Sequence, residues 1–157
     1  MRTLIIALVF AATIPAFAAG WSHYDNTRFG YGIDIPPDFD ALGESDNGDG
    51  QAFERGARAQ KLLVWGGFTL DGFEAEVAAR MGYATADGWT ISYQATTPQW
   101  ASFSGSIGQR IFYQRMISLC GGSQYAAFAV EYSQIDVAKM DEVVGTLVKS
   151  LRGSGAC

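Results

Sequence analysis

The chain has 157 residues, of which 48% are hydrophobic and 17% charged, with a formal net charge of −5, one histidine and two cysteines. So many apolar residues with so little charge argue against disorder and suit one buried core. The acidic balance argues against a nucleic-acid or anionic-lipid surface, and a single imidazole excludes sites built on several histidine ligands, including His-rich catalytic zinc sites.

In chain order, Met1-Arg2-Thr3 supplies one positive charge, and Leu4 to Ile14 is almost entirely apolar. Pro15 breaks a helix there, and Ala16-Phe17-Ala18 has the small-x-small form of a cleavage site. Residues 1–18 read as a cleaved signal peptide; the run is far short of the roughly 20 residues that span a bilayer, and an uncleaved anchor is the alternative. Residues 19–157 then read as a single periplasmic or secreted domain that does not span the membrane.

Trp21 to Asn26 and Phe29 to Ile35 predict a strand pair, with Phe29, Tyr31, Ile33 and Ile35 alternating on one buried face. Pro36-Pro37 ends it, and residues 38–50 read as a polar loop. Strands are expected at Gln51 to Arg55 and Leu62 to Phe68. A helix follows, with Asp71 as cap, Glu74 three residues on, Phe73, Val77 and Met81 on one face, and Gly82 as its end. Four more strands cover Trp89 to Gln94, Trp100 to Gly105, Gln109 to Leu119 and Gln124 to Ser133.

Gly121-Gly122 predicts a tight turn between the last two, pairing Cys120 with Ser123 and setting Arg115 opposite Phe128. A charge at that position must be paired or reach the edge. The clearest helix comes last: Asp136 can cap it, and Met140, Val143, Val144, Leu147, Val148 and Leu151 make an apolar stripe. This order predicts an α+β domain, an antiparallel sheet covered by helices.

Several pieces form an ordered set: Tyr24-Asp25-Asn26, Arg28-Phe29-Gly30-Tyr31, Ile35-Pro36-Pro37, Asn47-Gly48-Asp49-Gly50, Val64-Trp65-Gly66-Gly67, Arg110-Ile111-Phe112-Tyr113 and Ser150-Leu151-Arg152. Together they resemble a group of small uncharacterised secreted proteins of proteobacteria. The opening pattern, aromatic-x-Asn, then Phe-Gly-Tyr, then Ile-Pro, is similar to the PsbP-like superfamily. That resemblance implies a curved antiparallel sheet between helices, an α/β/α sandwich. It also implies a protein-binding, assembly or accessory role without catalytic residues.

The search for chemistry narrows the choice. His23 is near the start of the mature chain and reads as an ordinary surface residue. Ser104-Gly105-Ser106-Ile107-Gly108 approaches a nucleophile elbow, but Ser104 stands where glycine is needed and the segment joins strands. Asp46-Asn47-Gly48-Asp49-Gly50 invites a calcium reading, yet Ser45 and Gly56 occupy two required acid positions. Asp46 and Asp49 therefore remain only weak metal candidates, with a structural turn preferred.

Cys120 and Cys157 can form a disulfide through the flexible 153–157 tail; free thiols or an intermolecular link are the alternatives. The aromatic excess points to a surface patch near Trp65, Phe112 and Tyr125, with Arg115 as a partner-binding residue. The leading expectation is a non-enzymatic exported binding or accessory domain for a protein or small ligand. The alternatives are an enzyme using carboxylates with Arg110 or Arg115, and a calcium-stabilised structural module.

Overall fold

A computed structural model describes residues 20–157; the signal-peptide reading of residues 1–18 lies outside them. β1 (Ser22–Asn26) and β2 (Tyr31–Ile35) pair antiparallel, Asn26 opposite Tyr31. The Asn26 side chain closes the turn, its Oδ1 accepting from the Phe29 backbone N–H at 2.9 Å. β10 (Arg152–Gly153) adds to β2 and completes a three-stranded sheet.

The main sheet has seven antiparallel strands: β3 (Asp40–Glu44), β4 (Gly50–Arg55), β5 (Gln60–Phe68), β6 (Thr90–Thr96), β7 (Trp100–Ile107), β8 (Arg110–Leu119) and β9 (Gln124–Ser133). Their spatial order is β3-β4-β5-β9-β8-β7-β6, so the late β8–β9 hairpin sits in the middle. Its register sets Leu119 opposite Gln124 and Arg115 opposite Phe128, as the Gly121-Gly122 turn predicts.

Period-two alternation gives this sheet two apolar faces. On one, Leu62, Val64, Phe128, Val130 and Tyr132 pack with Tyr31, Ile33 and Ile35 of β2 and with α2 (Val137–Ser150). The expected α2 stripe, Met140 to Leu151, meets this core along its length. On the other face, Phe103, Phe112, Met116 and Tyr125 pack against Phe73 and Val77 of α1 (Phe73–Ala86). The result is the anticipated α+β sandwich with a helix on each side. No helix among the described residues is long and apolar enough to cross a membrane.

Four local expectations are corrected. Residues 40–44 are an edge strand: Ala41 pairs with Phe53, and a register shift precedes the Glu44–Gln51 pair. All five residues are exposed, so β3 carries no burial alternation for a sequence reading to detect. Asp71 does not cap α1; Gly72, with φ of +93°, holds the N-cap position, and no side chain among the described residues caps the helix. Gly82 does not end α1 either. The helix ends in a Schellman motif, Gly88 N–H donating to Thr85 O and Trp89 N–H to Ala84 O, both at 3.0 Å, with Gly88 at φ of +93°. Asp136 stands at the N-cap of α2, but its carboxylate turns to Gln60 Nε2 at 3.1 Å and Arg58 Nη1 at 3.5 Å instead of the helix N–H groups.

The Cys120–Cys157 disulfide forms, with Cα atoms 5.5 Å apart. It ties the chain end to the β8–β9 turn and closes a loop with a sequence separation of 37. In the chain-entropy picture a loop of that size stabilises the fold by about 4 kcal/mol.

Candidate functional site: a groove between helix α1 and the sheet

Strand register builds the floor of an open groove. On the α1 face, Leu63 of β5, Ala129 of β9 and Gln114 of β8 form one cross-strand row. Trp65, Ala127 and Met116 form the next, and Lys61, Glu131 and Phe112 flank the other side. The alanines of β9 are short, so the floor sinks between the larger side chains of β5 and β8. The last turns of α1 supply one wall through Arg80, Tyr83 and Ala84, followed by Asp87 and Trp89. The groove measures about 370 Å³, and Asp49 and Glu131 also line it.

Its apolar floor is open to solvent at Leu63, which is 47% exposed. Trp89 meets Phe112 edge-on with ring centroids 4.9 Å apart, closing the end towards β6. Gln114 presents a second anomaly: its side-chain Nε2 is buried and has no hydrogen-bond partner among the described residues. A buried donor without an acceptor carries a desolvation penalty of roughly 1–3 kcal/mol.

Arg80 organises the wall. Its Nε donates to Glu76 Oε1 at 2.7 Å and its Nη2 to the Tyr125 hydroxyl at 2.5 Å. The guanidinium lies 5.8 Å from the Trp65 ring, 5.9 Å from Tyr83 and 5.5 Å from Tyr125, within cation–π range of all three. Trp65 Nε1 donates to the same Tyr125 hydroxyl at 3.3 Å. Burial pushes the Tyr125 phenol above its ordinary value, opposed by the Arg80 charge and the Trp65 hydrogen bond. Gly67 makes room for this ring: a Cβ there would lie 2.7 Å from the Tyr125 hydroxyl.

The structure thus brings Trp65, Phe112 and Tyr125 into one cluster. Phe112 and Tyr125 are buried, so Trp65 with Leu63 and Tyr83 forms the accessible part. Arg115 is set apart on the opposite face of the sheet, beside Ser102 and Trp100. Arg110 borders the groove, its Nη2 3.3 Å from Glu131 Oε2.

Asp49 is engaged in its own turn, accepting from Ser45 Oγ at 2.5 Å and Asn47 Nδ2 at 3.0 Å. Asp46 is exposed in the same turn, and no group of three or more potential metal-ligating side chains occurs among the described residues. His23 is exposed and contacts Asp34 at 2.6 Å and Asp25 at 3.2 Å.

Sequence reasoning misses Arg80 and Gln114. Arg80 carries a signal: with Phe73, Val77 and Ala84 it falls on the inward stripe of α1, four residues after Glu76. For Gln114 the signal is weaker, a polar residue between Phe112 and Met116 on one face of an otherwise apolar strand.

No protein-family model matches the chain, and no curated protein matches it in sequence. Solved structures do. The solution structure of cyanobacterial PsbP (CyanoP) from Synechocystis sp. PCC 6803 superposes with a TM-score of 0.62 at 14% identity, over 92% of this chain and 98% of that one. The Ran-binding protein Mog1p of Saccharomyces cerevisiae gives 0.61 at 8% identity, over 85% of this chain and 95% of its own. A mutant of Mog1 gives the same score and identity. At such identities the likeness establishes the fold, and that fold is PsbP-like.

Proposed function

We propose that this protein is a non-enzymatic binding or accessory domain that holds a protein partner, or a small ligand, in the groove between α1 and the sheet. One observation carries the reading. An open groove with an exposed apolar floor has an unpartnered buried amide donor, Gln114 Nε2, among its lining residues. An acceptor from a bound partner removes that penalty, while Leu63, Trp65 and Tyr83 supply apolar contact of the kind that dominates interface energetics. The fold is compatible, since Mog1p, which shares it, is a Ran-binding protein.

The reading extends to location. The signal-like residues 1–18 and the disulfide fit an exported domain of residues 19–157, in the periplasm or outside the cell. Amino-terminal sequencing of the purified protein is expected to start at Ala19; a start at Met1 counts against export.

The binding test compares wild type with Leu63→Arg, which places a charge on the groove floor without touching either core. Wild type is expected to retain a discrete partner or ligand from periplasm or culture supernatant, and Leu63→Arg to lose it. Equal retention by both removes the groove from the proposal.

A second reading, carboxylate chemistry in the same place, is favoured by Asp49, Asp87, Glu131 and Arg80 sharing one groove. It requires turnover that Glu131→Gln abolishes while binding persists.

A further inference from the structure

The acidic residues are unevenly distributed. Residues 88–130 contain no aspartate or glutamate, although the whole chain has 16 acidic residues and a net charge of −5. This run supplies β6, β7, β8 and most of β9, the outer half of the main sheet. Two arginines lie in it. Arg110 is paired with Glu131, whereas Arg115 forms no ion pair among the described residues. The other unpaired cations there, Arg28, Lys61, Lys139, Lys149 and Arg152, are all exposed, and water compensates them. Arg115 is half-buried.

Its surroundings are shaped around the guanidinium. Arg115 leans from β8 across β7: Nη1 donates to Ser102 Oγ at 3.0 Å, and the guanidinium carbon stacks 4.1 Å from the Trp100 ring centroid. Nε is buried without a hydrogen-bond partner among the described residues. Ser102 stands between Arg115 and Ala95 in one cross-strand row, so only small side chains separate the guanidinium from the β6 edge. Burial pushes the Arg115 guanidinium down from its ordinary value, while the phenols of Tyr113 and Tyr93 act the other way. α2 packs on β2 and β9, leaving Tyr93 48% exposed on β6.

We propose that this outer half of the sheet is a second recognition surface, distinct from the α1 groove, whose occupant is an acidic segment of a partner protein with one aspartate or glutamate carboxylate closing on Arg115 beside Trp100. Three observations select that occupant. Strands β6, β7 and β8 bring no carboxylate of their own to meet an incoming negative charge. The guanidinium is a planar fork suited to a carboxylate, and here it is half-desolvated, so such a pair is stronger than in open water. The surface is an open sheet face ending at the free edge of β6, and Trp, Tyr and Arg are the residues that anchor protein interfaces.

The probe is a synthetic extended peptide of alternating Glu and Thr, with its Gln-Thr counterpart, inorganic phosphate and acetate run in parallel. Each is titrated into the isotope-labelled protein while the Trp100 indole N–H and the Arg115 Nε–H signals are followed. The Glu-Thr peptide is expected to shift both signals and to weaken as salt is raised. The Gln-Thr peptide is expected to leave them unmoved, and Arg115→Gln to lose about tenfold or more in affinity.

Equal binding of the Gln-Thr peptide overturns the proposal. So do shifts confined to the Trp65 groove, or saturation by phosphate or acetate below the peptide's concentration, which marks a small-anion site. If Arg115→Gln fails to fold by its melting curve, the Glu-to-Gln peptide comparison on wild-type protein still decides the matter. Arg115→Lys, which keeps the charge and loses the planar stack, should bind between the two.

Discussion

Helices α1 and α2 each contain 14 residues and cover opposite faces of one sheet, yet they do so in different ways. α2 turns Met140, Val143, Val144, Leu147 and Val148 onto a core already filled by β2, β5 and β9. α1 is rich in alanine and buries only Phe73 and Val77, with Met81 and Ala84 partly covered. A tightly sealed face holds the fold together; a loosely covered one leaves room for a ligand. In this molecule the closely packed layer and the loosely covered one lie on the two sides of the same strands.

The contrast can be broken experimentally, and the largest effect should come from the α2 side. Reducing the disulfide, or replacing Cys157 by Ser, is expected to cost about 4 kcal/mol. Hydrogen exchange should rise in β10 and β2 and stay unchanged in α1; uniform loosening would erase the distinction between the layers. Next, Leu147→Ala, at a fully buried position, is expected to cost about 3 kcal/mol in denaturant unfolding. Val77→Ala in α1, which removes two buried methyl groups, should cost about 2 kcal/mol or less. Reversal of that order would show that α1 carries the fold.

A finer effect separates wall from core. Arg80→Met is expected to cost about 1–2 kcal/mol, because it takes a charged donor from the mostly buried Glu76 carboxylate and the Tyr125 hydroxyl. It should also alter Trp65 fluorescence, since the guanidinium lies over that ring.

The smallest and most diffuse effect is alkaline. Burial raises Tyr31, Tyr125 and Tyr132 above the ordinary phenol value of 10.0. Below that value their contribution is fully present. Above it, the unfolded chain ionises first, so stability drains as pH rises towards the folded values. Stability should be flat to about pH 9 and fall above about pH 10. Tyr31→Phe, on the α2 side, should flatten that fall more than Tyr125→Phe.

How much of this was legible in the sequence follows from the same contrast. Alternation in Tyr31, Ile33 and Ile35, the Gly121-Gly122 turn and the α2 stripe are local patterns, and each marks an element that buries one face. β3 buries nothing and is held by backbone bonds to β4, so no side-chain pattern announces it. The far end of α1 was obscured because Gly82, exposed with open space around it, is tolerated inside the helix.

The groove is a property of two distant segments. Its floor dips at Ala129 between Leu63 of β5 and Gln114 of β8, with the end of α1 as one wall, a relation that spacing along the chain does not express. Trp65, Phe112 and Tyr125 stood out as an aromatic excess, but only strand register places them together. The same register carries Arg115 to the other face.

The fastening of the last residues has a mechanical corollary. Ser154 N–H donates to Gly30 O at 2.7 Å, and the sulfur bridge then anchors Cys157 to Cys120. A pull applied at that end enters the molecule through the tip of the β8–β9 hairpin, loading the central strands lengthwise. Once the sulfurs are reduced, the same pull peels β10 from β2 and reaches α2, opening the layer one contact at a time. The thiol chemistry of the surroundings therefore sets whether the domain resists tension in shear or yields by unzipping.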